Sequence, residues 1–401
     1  MLLRATRWSL AVTVAAAPLY VVRWHVGPLP TTLLENLIGL TLLLYLVTLL
    51  RTRQPLPKRT PYEIPIVLFL LSGLIGTFVA PDHRGGLGIY RAYLIEPVAI
   101  FYLAGAVMQR EKDILALLAG WGAGTVLFAI DEIVVVLKAA AANALVPGHA
   151  AAAFDINPNS VALYLEPLIG VAAGFALFGK GRARWIALAT IILLLVAELA
   201  TLSRGGLLAI GILAVIGVVT ISNAPLRIAL GAATVVAIFA IRFVPVIGTR
   251  VTHALDPATG TFFERASIWT VTLRMLRDRP IFGAGVNAYQ TTVAPYRAVD
   301  PNLSPEPYPH NIVLTTWTEL GLLGLLSFLY VVVNLMVRPW RVLNRATGIY
   351  QPLLWGLGAA FAMFAVHGLV DSPYWKNDLS LEFWVLAALE VVAIRATMTR
   401  A

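Results

Sequence analysis

The chain of 401 residues has no cysteine, and only 13% of its residues are charged, about half the share found in an ordinary soluble domain. The missing thiols exclude disulfide staples, thiolate metal sites and a cysteine nucleophile. The scarcity of charge excludes a soluble enzyme. The six histidines lack any His-x-x-x-His pair, so zinc-type spacing is absent and neither a bound metal nor another cofactor is expected. No internal repeat supports the inverted-repeat architecture of secondary transporters.

What is present is apolar. Hydrophobic residues make up 59% of the chain and the mean hydropathy is +0.80, with recurrent runs of about 20 residues, the length that crosses about 30 Å of hydrocarbon. These runs predict an all-α polytopic membrane protein of about twelve transmembrane helices, at 8–24, 32–50, 62–80, 88–108, 114–137, 159–178, 185–201, 205–222, 227–245, 311–336, 350–370 and 378–396. The formal charge of +9 would suggest nucleic acid in a soluble domain; here it reads as topology, and no nucleic-acid partner is expected. With a cytoplasmic N-terminus, the inner segments hold Arg4, Arg7, Arg51, Arg53, Lys58, Arg59, Arg110, Lys112, Lys180, Arg182, Arg184, Arg227, Arg338, Arg341, Arg345, Arg395 and Arg400. The positive-inside rule then puts both termini inside. Residues 1–27 also carry the charged start and small-residue run, Ala15 to Ala17, of a signal peptide, a reading that leaves the remaining topology unchanged.

The chain thus divides into spans one to nine (1–245), a long outer segment (246–310) and spans ten to twelve (311–401). The outer segment carries six Arg and five acidic residues. Within it Phe262, Ala266, Trp269, Leu273 and Leu276 recur at intervals of three and four, predicting an amphipathic helix on the outer membrane face with Arg265, Arg274 and Arg277 on its other faces. Asp278-Arg279-Pro280, Gly283, Gly285 and Asn287 should end it. Residues 295–309, with five prolines, should form a stiff extended loop ending at His310.

A charge at membrane depth needs a partner or water. Arg204 lies in Leu202-Ser203-Arg204-Gly205-Gly206, a short outer hairpin where two glycines would let a ligand reach the backbone and Arg would bind an anion bidentately; an interface-snorkelling Arg in a tight turn reads equally well. His310, between Pro309 and Asn311, is either a general base or a helix-start histidine without chemistry. His367 and Asp371 are one helical turn apart and read as a pair that satisfies the imidazole. Arg91 with Glu96, and Glu166, read as interior pairing groups that line a cavity. Asp131 and Glu132 could mark an ion path in a transporter, but the acidic groups do not recur in two halves. His25, His83, His149 and His253 have no convincing partner.

Together, Leu202-Ser203-Arg204-Gly205-Gly206, Glu264-Arg265-Ala266-Ser267-Ile268-Trp269 leading to Arg279-Pro280-Ile281-Phe282-Gly283-Ala284-Gly285, and Pro309-His310-Asn311 followed by Glu319-Leu320-Gly321 resemble the O-antigen ligase family, which is related more broadly to the O-antigen polymerases and the protein O-oligosaccharyltransferases. Asn157-Pro158-Asn159 adds a looser likeness. The resemblance implies a general plan similar to that of lipid-linked-sugar glycosyltransferases. It also implies a membrane enzyme that takes a glycan from an undecaprenyl-diphosphate-linked donor at the periplasmic face and joins it to a sugar hydroxyl of lipid A–core oligosaccharide, without a metal and with inversion. In the polymerase relatives the acceptor is a second lipid-linked glycan. By the same resemblance, Arg204 and Arg265 are the diphosphate-binding positions and His310 the general base, or at least the group that orients the hydroxyl.

Overall fold

In the computed structural model the described residues are 1–27, 29–142, 144, 151–221, 223–229, 231–232, 261–298, 303 and 305–400. The ninth expected span (227–245) lies largely outside them, as do His149, His253 and Asn302. Helices α1 (Leu2–Ala15), α2 (Leu33–Thr52), α3 (Glu63–Val79), α4 (His83–Val107), α5 (Glu111–Ala141), α6 (Pro158–Phe178), α7 (Gly181–Thr201) and α8 (Arg204–Thr220) form the first half. The second half has α9 (Thr261–Asp278), α10 (Tyr289–Arg297), α11 (Ile312–Val342), α12 (Tyr350–Gly368) and α13 (Asn377–Arg400).

Among the described residues six helices, α2, α4, α5, α6, α7 and α11, are long and apolar enough to cross a membrane. Helices α3 and α8, at 17 residues each, are apolar but shorter, so length and composition carry only part of the expected set of twelve. The first expected span, 8–24, is corrected: α1 stops at Ala15, a 3-10 turn runs over Ala17–Val21, and an antiparallel hairpin follows, β1 (Arg23–Val26) on β2 (Leu29–Thr32). Pro18 has no N–H to continue α1, which accounts for the stop. The small hairpin is an exception to the all-α expectation.

Helices meet through groups suited to a medium without competing water. Hydroxyls of Thr6 and Thr48 lie 3.0 Å apart, and Thr41 on α2 meets both Ser9 (2.7 Å) and Thr13 (2.8 Å) of α1. Such interhelical bonds join helices where apolar burial offers little drive. Helix α6 packs on α12 where Gly170 faces Ala360 and Gly174 faces Gly356, small residues that let two backbones approach closely. The pairing is antiparallel, so the start of α6 and the end of α12 reach the same end of the bundle. α6, α12 and α13 are buried almost throughout, whereas α2, α7 and α8 leave Leu, Ile and Val side chains exposed on their outer faces, the surface a lipid-facing helix presents.

Helix α9 forms where the apolar period places it, but its buried face is rotated from the expected stripe. Ile268, Val271, Thr272, Met275 and Leu276 are buried while Leu273 is exposed; the side chain of Phe262 lies outside the description. The buried set has the same three-and-four spacing, and it packs on Tyr289, Val293, Leu303 and Leu314, which the helix's own sequence cannot reveal. Arg265, one turn before Ile268 and Trp269, therefore lies toward the buried side rather than on another face. The chain breaks after Asp278 as expected and docks on α11. Ala284 N donates to Thr318 O (2.7 Å), Asn287 N to Glu319 (2.5 Å) and Leu322 N to Ile281 O (2.9 Å). Gly321, at φ +69, kinks α11 and leaves no room for a Cβ beside Ile281 O. The extended loop expected from 295 is shorter than supposed, because Pro295 lies inside α10.

Candidate active site

The turn between α7 and α8 ends with Leu202 in the left-handed conformation (φ +54), a C-cap that reverses the chain. Ser203 then caps α8, its Oγ accepting from Gly206 N at 3.2 Å. Arg204 is the first residue of α8 and half-buried. The following glycines do not open the backbone to a ligand, as the sequence suggested. A Cβ on Gly205 would strike the His367 ring, and one on Gly206 the Glu198 carboxylate. The motif is glycine-rich because buried side chains of α12 and α7 fill the space against it.

His367 does not pair with Asp371, which corrects the expected i, i+4 contact. Its Nδ1 bonds Glu166 on α6, and only the backbone joins the two positions, Asp371 N donating to His367 O (3.0 Å). The chain leaves α12 just after His367, so Asp371 turns away to a different imidazole.

Asp371, 2% exposed, is the hub of the site. Its Oδ1 accepts from His310 Nδ1 (3.1 Å) and Ser372 N (2.8 Å); its Oδ2 accepts from Asn159 Nδ2 (3.1 Å) and lies 3.8 Å from Arg265 Nη2. Three segments distant in sequence, carrying Asn159, Arg265 and His310, thus converge on one carboxylate. The Asn157-Pro158-Asn159 likeness has a local cause: Asn157 caps α6 by accepting from Asn159 N (2.8 Å), and Pro158 fits the first turn. Asn159 is then free to reach Asp371.

Pro309-His310-Asn311 is equally built. Trp269 Nε1 donates to Pro309 O (2.9 Å), fixing the loop to α9. Asn311 caps α11 by accepting from Val313 N (3.0 Å) and Leu314 N (3.1 Å), and its Nδ2 holds Leu369 O (2.9 Å). Between these anchors His310 sits at φ +49, a left-handed conformation uncommon outside glycine and maintained here by the contacts on both sides. Its ring lies beside Tyr308, centroids 4.8 Å apart.

The second ring nitrogen, Nε2, meets Glu306 at 3.2 Å. Burial alone would lower the imidazole's affinity for a proton, but hydrogen bonds to Asp371 and Glu306 outweigh it and raise the pKa to about 9. Burial likewise pushes the Asp371 carboxyl up, and the bond from His310 with the charges of His310, His367 and Arg265 reverses that, holding it well below the ordinary carboxylate range. This arrangement, an imidazole set between two carboxylates, favours the imidazolium form of His310.

The site therefore brings Arg265 and His310 together through Asp371, and joins the Arg204 turn to them through the end of α12, where His367 packs on Gly205. Sequence reasoning missed Asp371 as the partner of His310 and did not single out Glu306. The usable signals were the acidic residue just beyond the end of α12 and the acidic residue between prolines in the loop before His310. Arg91 bonds Glu35 (2.7 Å) as well as Glu96 (3.4 Å); a π turn over Tyr90–Ile95 brings positions five apart onto one face. Glu132 is buried and accepts from Ala153 N (2.7 Å), while Asp131 is half-buried. His83, expected to lack a partner, has its Nδ1 3.0 Å from Thr77 O. Among the described residues no group of three or more His, Asp or Glu is arranged to hold a metal ion.

Residues 189–329 match the family model described as O-Antigen ligase, which places that stretch in the O-antigen ligase family. The match spans the Arg204 turn, α9 with Arg265, the docked 279–287 segment, His310 and Glu319. No curated protein matches the chain.

Proposed function

We propose that this membrane protein, with an O-antigen ligase stretch at its centre, transfers a glycan from undecaprenyl diphosphate to a sugar hydroxyl of lipid A–core oligosaccharide. The reaction proceeds at the periplasmic face of the bacterial inner membrane, on a frame of about twelve spans with both termini cytoplasmic. Arg204 and Arg265 hold the diphosphate. Planar guanidinium groups bind phosphate oxygens bidentately, and cations fixed where charge develops on the leaving group replace a metal ion. His310 stands on the acceptor side. Attack by the hydroxyl directly on the anomeric carbon inverts its configuration, with no covalent sugar–enzyme intermediate.

The observation that supports this reading most is the convergence of Arg265 and His310, both inside the family-matching stretch, on the buried carboxylate of Asp371 outside it. A cation for the leaving group and a polar group for the acceptor are then both held against one buried carboxylate. The second reading is an O-antigen polymerase, which would use the same groups with a lipid-linked glycan as acceptor.

The test is reconstitution of purified protein with an undecaprenyl-diphosphate glycan and either lipid A–core or a second lipid-linked glycan. Product on the core lipid alone is expected. Product only on the lipid-linked glycan would replace the ligase reading by the polymerase one, and product on neither would remove both.

A further inference from the structure

Glu306 is absorbed by no role so far, yet it occupies the face of His310 that an acceptor hydroxyl would need. Both ring nitrogens of His310 lie within hydrogen-bond distance of a carboxylate, Nδ1 at 3.1 Å from Asp371 and Nε2 at 3.2 Å from Glu306. An ionised carboxylate only accepts, so with a carboxylate on each side the ring is arranged to donate from both nitrogens, which leaves it no lone pair. A general base needs one.

The two carboxylates differ in what they have left to give. Asp371 is 2% exposed and occupied by His310, Ser372, Asn159 and Arg265. Glu306 has a 30% exposed side chain, bonds His310 through Oε2 alone, and among the described residues its Oε1 accepts no hydrogen bond. It also lies in the Pro305-Glu306-Pro307 stretch, where neighbouring prolines restrict the backbone that carries it. Besides His310, the charged or titratable groups gathered here are Asp371 after α12, Arg265 on α9 and Tyr308 in the same loop.

We infer that Glu306 is the catalytic carboxylate that takes the proton of the acceptor hydroxyl, with the His310–Asp371 pair acting to position it. The inference rests on the transfer reaction proposed above. The acceptor oxygen forms the bond to the anomeric carbon as the bond from that carbon to the diphosphate breaks. The electron pair leaves with the diphosphate, and the hydroxyl proton passes to Glu306 Oε1. His310 remains a cation throughout, and the exposed edge of Glu306 returns the proton to water.

The experiment compares Glu306→Gln and Glu306→Asp with the native protein in the reconstituted reaction, reading turnover, donor binding and the pH profile. Glu306→Gln is expected to lower turnover by about 10²–10⁴-fold, the usual contribution of a general base, with donor binding unchanged; Glu306→Asp should recover part of it. Native turnover should stay flat or fall as pH rises through about 9, where His310 loses its proton. Turnover that instead climbs through that region, or a Glu306→Gln variant that works at the native rate, overturns the inference and returns the base role to His310. Loss of donor binding in Glu306→Gln also overturns it, by assigning the carboxylate to the donor site. A native protein that makes no product on either acceptor removes the transfer reading itself, an outcome distinct from an active native protein with an active variant.

Discussion

Gly205 lies so close to the imidazole of His367 that a β-carbon on it would overlap the ring. The relationship ties the turn carrying Arg204 to the helix end carrying Asp371, and so links the two halves of the site through close packing. Gly205→Ala should displace that turn and weaken donor binding by at least about tenfold, since roughly 1.4 kcal/mol of lost positioning is a factor of ten. Gly211→Ala on the same helix, where nothing lies within 4 Å of the added methyl, is the control and should be silent. Equal donor affinities for the two variants would show that the contact does not position Arg204.

The two arginines are separable by substitution. Arg204→Ala and Arg265→Ala should each abolish transfer while leaving folded protein in the membrane, and lysine should rescue only partly, because an ammonium cannot reproduce a bidentate fork. Arg265 is also 3.8 Å from Asp371, so its loss should additionally disturb the His310 side. The measurement is donor binding beside turnover for each variant; near-native activity in both alanine variants sinks the diphosphate assignment.

Much of this was legible in the sequence, and the reason for each failure is physical. Hydropathy gave helices near most expected spans, and the charge, proline and glycine signals placed the end of α9 at Asp278. Arg204, Arg265 and His310 could be named because each lies in a short motif. What one sequence could not provide was pairing across long separations: His310 with Asp371 are 61 residues apart, and His367 with Glu166 are 201 apart. The i, i+4 spacing of His367 and Asp371 was misleading, since the helix ends between them. The rotation of α9 was hidden for a similar reason. Two overlapping stripes satisfy the helical period, and only the docking of α10 and α11 selects between them.

The His310 ion pairs make stability depend on pH with a definite sign. A histidine whose folded-state pKa is raised to about 9, from about 6.5 when unfolded, contributes stability that is complete below about pH 6.5 and lost as pH rises through 9. The difference in melting temperature between the native protein and His310→Asn should therefore shrink from pH 6.5 to pH 10. A difference that widens over that range would contradict the arrangement of the imidazolium between Asp371 and Glu306.

Catalysis by cationic side chains predicts indifference to chelators. The proposed charge compensation comes from Arg204 and Arg265, so transfer should survive EDTA at concentrations that strip divalent ions from a metal-dependent transferase. Activity lost to EDTA and restored by Mg²⁺ or Mn²⁺ would show that a metal shares the diphosphate.

The orientation of the bundle is the last expectation, and every site assignment depends on it. Hydrogen bonds place groups at two opposite ends. At one end Arg7 bonds Val107 O (2.9 Å) and pairs with Asp113 (3.3 Å), joining the start of α1, the end of α4 and the start of α5. The other end gathers the start of α6, the end of α12 and the start of α11 around Asp371 and His310. Lys180, between α6 and α7, and Arg182 and Arg184, in the first turn of α7, lie at the end opposite Asp371, as the positive-inside rule requires if the site faces outward. A reporter active only outside the cytoplasm should work when inserted near Asn302 and fail when fused after Ala401, two positions outside the described residues. The reverse pattern would turn the site toward the cytoplasm, where a donor presented at the periplasmic face could not reach Arg204 and Arg265.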